Sequence, residues 1–244
     1  MTLYTLLKIF ESKRYAEQFL NGSLYLNTLR YFAEEYEDHG ELRGDAYEGL
    51  IGHYQPSEIG KLTIGGIEIP SGALAGPMLV HSHALLDNNV LCMYAVHSGS
   101  YQTIDETNLA DFRESLKIPA ECHALGAHCV ALLNPTEFLA RCTKALASRK
   151  LPYAYGLVSY FDDLAPDAKF PDAEFGFYKR KRFSAQQEFR IRVAPTDRPV
   201  EPLKLEIGDL SDIALLLTPE EFNAGIHFQT ATSLQHPQPQ RDQE

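Results

Sequence analysis

Residues 182–193, RFSAQQEFRIRV, place a carboxylate, an amide and two guanidinium groups at alternate positions of one short stretch. Read as a β-strand, it puts Phe183, Ala185, Gln187, Phe189, Ile191 and Val193 on a mainly apolar face. Ser184, Gln186, Glu188, Arg190 and Arg192 share the opposite face. A spacing of two sets Gln186 and Glu188 side by side, near enough to grip one ligand. A carboxylate so placed stabilises the oxocarbenium-like charge that develops when a nicotinamide–ribose bond breaks, while the amide two residues earlier helps to place the nucleophile. That is the chemistry of ADP-ribosyl transfer, in which NAD is a substrate. A solvated sheet face produces the same alternation with no chemistry at all.

Cations precede this stretch. Residues 178–182 read YKRKR in a chain whose formal net charge is −11. The overall charge excludes a protein that coats nucleic acid through bulk electrostatics, but not a local basic path. Lys179, Arg180 and Arg190 are the candidates to bind the diphosphate of NAD or a phosphate-bearing acceptor such as RNA or DNA. The same cations could simply balance the acids of residues 162–174. A second charged loop, LRGDAYEG, offers Arg43, Asp45 and Glu48 to a cleft beside the sheet, or to solvent.

The elements that must hold these residues are legible in outline. LYTLLKIF reads as a strand, SKRYAEQFLNG as a helix ended by Gly22, and SLYLNT as a second strand. TLRYFAEEYE reads as a helix capped by Asn27 or Thr28, with Leu29, Phe32, Ala33 and Tyr36 inward. LTIGGIEI predicts a hairpin turning at Gly65-Gly66, and NNVLCMYAVHS a buried strand. NLADFRESLKI is amphipathic and helical. In HCVALLNPTEFLARCTKALASRK a strand leads into a helix, with Asn134, Pro135 and Glu137 forming a capping signature. Thr218, Pro219 and Glu221 repeat it near the end. Strands outnumber helices and do not alternate with them one for one, so the fold class is α+β, with a mostly antiparallel sheet or sheets and flanking helices.

Length and composition fit one globular domain over residues 1–232, followed by a polar tail, 233–244, without an apolar face. No apolar run reaches the length of a bilayer span and the start lacks a signal-peptide layout, so a soluble cytoplasmic protein is expected. Cys92, Cys122, Cys129 and Cys142 have no CxxC spacing and read as packed, reduced thiols. The cluster Cys122, His123, His128 and Cys129 matches no common zinc finger, and no metal is expected. Phosphate-loop, dinucleotide-fold and nucleophile-elbow motifs are absent.

Four segments together carry a family likeness. FYKRKRFSAQQEFRI resembles the K…E/Q-x-E-[FWY]-R-[IL] segment of the bacterial family called domain of unknown function 2971. GSLYLNTLRYFAEE resembles its early strand and Asn/Ser-x-x-x-Phe motif, and VLCMYAV and LVSYFDD resemble its central strands in the same order. Families of this shape look related to ADP-ribosyltransferase toxins and phage-defence effectors. The resemblance implies that architecture, Glu188 as the catalytic residue with Gln186 as its partner, and a nucleic-acid or protein acceptor, with an antitoxin or a sensor partner. It departs from the better-known transferases in lacking an early strand Arg or His for the nicotinamide or the phosphates. The early strands offer Lys8, Tyr25, Asn27 and Thr28 to the cofactor instead, with Lys8 the candidate for the pyrophosphate and Asn27 or Thr28 for the nicotinamide amide. Two other readings stay open. One is a nuclease that cleaves RNA or DNA through Lys179, Arg180, Glu188 and Arg190. The other is a non-catalytic sensor or interaction module that uses the polar strand face as a groove.

Overall fold

The computed structural model describes residues 1–34, 44–165, 167–171, 174–196 and 200–227. Arg43, Tyr36 and the predicted polar tail lie outside these residues.

Two strands and two helices open the chain: β1 (Leu3–Phe10), α1 (Lys13–Leu20), β2 (Ser23–Thr28) and α2 (Leu29–Glu34). Then come β3 (Leu50–Tyr54), the hairpin β4 (Leu62–Ile64) and β5 (Ile67–Ile69), β6 (Met78–His81), α3 (His83–Leu86) and β7 (Asn89–His97). The second half holds α4 (Leu109–Ser115), β8 (His128–Leu132), α5 (Pro135–Ser148), β9 (Tyr153–Leu157), β10 (Ser159–Phe161) and β11 (Asp167–Lys169). It closes with β12 (Tyr178–Arg180), β13 (Glu188–Val193), β14 (Leu203–Glu206), β15 (Ala214–Leu217) and α6 (Pro219–Ala224). The fold is α+β, built on an eight-stranded antiparallel sheet with flanking helices.

β7 is the trunk of that sheet. One edge of it carries β13, with β9 outside. The other edge is shared end to end, β2 pairing at Asn89–Val90 and β1 at Tyr94–His97. Where β1 and β2 part, the Lys8 ammonium donates to the Cys92 carbonyl at 2.8 Å.

Both faces of the trunk are covered, which is why NVLCMYAVH reads as a nearly continuous apolar run. Leu91, Met93 and Ala95 pack with Leu6, Leu24, Phe189 and Ile191 beneath Phe19 of α1 and Phe138 and Leu146 of α5. Tyr94 and Val96 pack on the other side with Leu7, Ala131 and Phe112 of α4. The four cysteines are free thiols, as their spacing suggested. Among the described residues no helix is long and apolar enough to cross a membrane.

Local signals decide the ends of the elements. Gly65 and Gly66, at φ 57° and 82°, turn the predicted hairpin. Thr218 and Glu221 make the full reciprocal cap on α6. On α5 Asn134 accepts from the Glu137 amide at 3.0 Å, but the Glu137 carboxylate turns to Arg141 at 2.8 Å, so the expected box is only half made. Gly22 ends α1 at φ 87°, and a methyl group there would lie 1.9 Å from the Gly208 carbonyl oxygen. Gly22→Ala should therefore lower stability by about 3 kcal/mol, read from the shift of the denaturant midpoint at constant slope.

One predicted strand is shorter than its sequence pattern. Residues Lys181–Gln186 form a 3-10 turn, Gln187 adopts a left-handed conformation (φ 38°, ψ 50°), and β13 begins only at Glu188. Phe183 explains the break. Its ring is buried as the anchor of the turn, with the Lys179, Arg180 and Arg182 cations within 4.8, 5.7 and 4.7 Å of its centroid.

Candidate functional site

Because of that corner, Gln186 and Glu188 do not share a strand face. They meet all the same, on a third side chain. The Lys179 ammonium, from β12, donates to Gln186 Oε1 at 2.8 Å and to Glu188 Oε2 at 3.1 Å. A left-handed non-glycine residue costs roughly 1–3 kcal/mol, and Gln187 in that conformation sits between the two.

Arg190, two residues along β13, closes the other side. Its Nε donates to Glu188 Oε1, and its two terminal nitrogens fork onto Glu48 at 2.8 and 2.6 Å. One of them also donates to the Gly176 carbonyl at 2.8 Å. Lys179 lies 3.5 Å from Glu48 as well. Glu48 and Arg190 are 1% exposed, and Glu188 and Lys179 4%. Two acids and two bases thus form a closed, formally neutral cluster in the interior. The phenol oxygen of Tyr160 accepts from the Glu188 amide at 2.8 Å, and the Cys92 thiol, on β7, is near enough to favour the Glu188 carboxylate.

Burial alone would push the Glu188 carboxyl up, but Arg190 and Lys179 outweigh it and hold the group far below the ordinary carboxylate range. Burial likewise works against the Lys179 ammonium, and Glu188 and Glu48 reverse it, leaving the group firmly charged. Burial, reinforced by Glu188, pushes the Cys92 thiol up to about 12, so it is no nucleophile at neutral pH. The depressed value of Glu188 has a signed consequence. It contributes stability that is fully present above the ordinary value of 4.5 and is lost as pH falls below it. Stability measured from about pH 5 down to about pH 2 should fall less steeply in Glu188→Gln than in the parent chain.

A second cluster adjoins the first. Arg180, next to Lys179 and pointing the opposite way, pairs with Asp45 at 2.6 Å and Asp163 at 3.6 Å and lies 4.1 Å above the Tyr47 ring. Asp45 and Glu48 belong to one tight turn, closed by Glu48 N–H donating to Asp45 O at 2.8 Å. That turn is therefore fastened to β12 at both ends, by Arg180 and by Lys179.

The predicted site residues divide accordingly. Gln186, Glu188, Lys179 and Arg190 come together in one cluster, and Asp45 and Arg180 in its neighbour. Lys8 occupies the fork between β1 and β2. Tyr25 is exposed on β2 opposite Lys204. Asn27 Oδ1 accepts from the Thr28 amide at 2.9 Å, and the buried Thr28 accepts from the Tyr31 amide at 3.2 Å, which is a helix cap. The YKRKR run is not a continuous basic surface. Lys179 and Arg180 are buried and ion-paired, while Lys181 and Arg182 are exposed.

Tyr160 and Cys92 were not foreseen as neighbours of Glu188. Both lie in segments that read only as strands.

The chain matches no protein-family model, no curated protein and no solved structure. The likeness drawn from the four segments stands on those segments alone.

Proposed function

We propose that the Gln186/Glu188 corner is the centre of an ADP-ribosyltransferase-like site that uses NAD to modify a nucleic-acid or protein acceptor. The observation that carries this reading is the convergence of the two side chains on one ammonium. Glu188 Oε1 is committed to Arg190, which orients the carboxylate. Oε2 faces Lys179, a single flexible cation shared with Gln186. In this reading Lys179 holds the place beside Oε2 that the developing ribosyl cation takes, and it moves onto the diphosphate as the donor enters. Gln186, released from the ammonium, then orients the acceptor. The α+β frame with its long antiparallel sheet is compatible with such an architecture, and a toxin or anti-phage effector is the biological role that fits it.

The test uses adenine-labelled NAD and bacterial extract, with the parent chain and Glu188→Gln side by side. Label should move to an acid-insoluble acceptor with the parent chain and fall by about 100-fold or more with the variant. Equal transfer by both removes Glu188 from the chemistry.

One observation favours a second reading. The four charges satisfy one another almost wholly out of contact with solvent, as a structural frame would. The chain would then be a non-catalytic interaction module. No transfer from NAD by the parent chain, with partner binding unchanged in Glu188→Gln, is the result that selects it.

A further inference from the structure

His53, on β3, is 0% exposed, yet among the described residues neither ring nitrogen has a hydrogen-bond partner. Its ring packs at a tilt into a three-ring cluster with Tyr47 (centroids 5.8 Å apart) and Phe161 (6.0 Å), which also touch each other at 6.5 Å. Two more orphaned atoms belong to the same neighbourhood: Oδ2 of Asp45 and Nε of Arg180, whose guanidinium covers the Tyr47 ring. A buried imidazole with an unmet donor and an unmet acceptor is destabilised at each group, and a buried imidazolium without a partner is destabilised further.

We propose that His53 is an acid-operated latch on residues 45–48. While the ring is neutral it stays caged, holds Tyr47 beneath Arg180, and so keeps Asp45 on Arg180 and Glu48 on Arg190. A proton cannot be accepted inside the cage, so protonation requires the ring to swing to water. Its departure removes the support of Tyr47 and releases the turn, exposing the Glu188 cluster. The charged and titratable groups around it are Asp163, whose charge favours the proton, the Tyr47 phenol, and Asp45 and Arg180 behind Tyr47. From β6, His81 contacts the Ala46 carbonyl at 3.2 Å. Burial, opposed in part by Asp163, lowers the His53 value below its ordinary 6.5, in keeping with this arrangement.

The latch is independent of the chemistry proposed at Glu188 and is tested without it. Hydrogen exchange of backbone amides in residues 44–54 is followed at about pH 7.5 and about pH 5.5, corrected for intrinsic rates. Residues 135–148, a helix without histidine, serve as the reference for global opening. Over that interval an opening that takes up one proton near pH 6.5 is favoured about tenfold. The parent chain should show that rise in residues 44–54 relative to the reference. His53→Phe and His53→Gln should abolish it, whereas His81→Gln should keep it. No rise in the parent chain, or a rise that survives in whichever His53 variant folds, overturns the latch.

Discussion

Arg190→Ala is expected to lower stability by about 3–5 kcal/mol, measured by denaturant unfolding. The side chain is among the largest that are fully buried, and it bonds to Glu188, to both oxygens of Glu48 and to the Gly176 carbonyl. Its removal leaves two carboxylates facing each other with Lys179 as their remaining cation, so the loss reflects stranded charge more than the worth of a contact. Domains of ordinary stability have about 5–15 kcal/mol to lose, which makes this a large fraction. Arg190→Lys should recover only part of the loss, because an ammonium on a linear stem cannot fork to Glu48 while reaching Glu188. A change below about 1 kcal/mol for Arg190→Ala would mean that the cluster is open to water.

Glu188→Gln is expected to reduce transfer from labelled NAD by about 100- to 1,000-fold, read as the initial rate of label incorporation. The substitution keeps the volume of the side chain and removes the charge that stabilises a ribosyl cation. It also turns an amide donor toward Arg190 or Lys179, both of which are donors already, and should cost about 1–3 kcal/mol of stability. Activity is therefore compared at a temperature where both proteins are folded, established from their unfolding curves. Lost transfer in a folded variant assigns the carboxylate. Lost transfer in an unfolded one assigns nothing, and Glu188→Asp, which retains the charge with a shorter reach, then takes its place with partial activity expected.

Local rules gave the elements, and long-range pairing gave the site. The caps at Asn134 and Thr218 and the glycine pair at 65–66 act within a few residues, so the helices and the hairpin they define were legible from the chain. The polar alternation around Glu188 picked out Gln186 and Arg190, and the cation run before it Lys179, although for Gln186 the strand pattern was the wrong reason. The 3-10 turn anchored by Phe183 and the left-handed Gln187 bring it to Lys179 instead. Glu48 joins Arg190 across 142 residues, a separation that no periodicity reveals. Nor does a run of four cations announce that two of them are interior, since lysine and arginine are almost never fully buried unless paired. Their partners, Asp45 and Glu48, were read as charges of a loop that faces either a cleft beside the sheet or solvent. His53 sits in a short strand whose pattern gives no hint of unmet ring nitrogens.

An ionised carboxylate at position 188, enclosed by Arg190 and Lys179, underlies both the stability and the proposed chemistry of this corner. Its most direct measurement is the carboxyl carbon resonance of Glu188, assigned by comparison with Glu188→Gln and followed as pH is lowered. The resonance should keep its carboxylate position to about pH 3, whereas the carboxyl groups of solvated glutamates in general pass through their midpoints at ordinary values. A Glu188 resonance that titrates together with them would place the side chain in water and contradict the account.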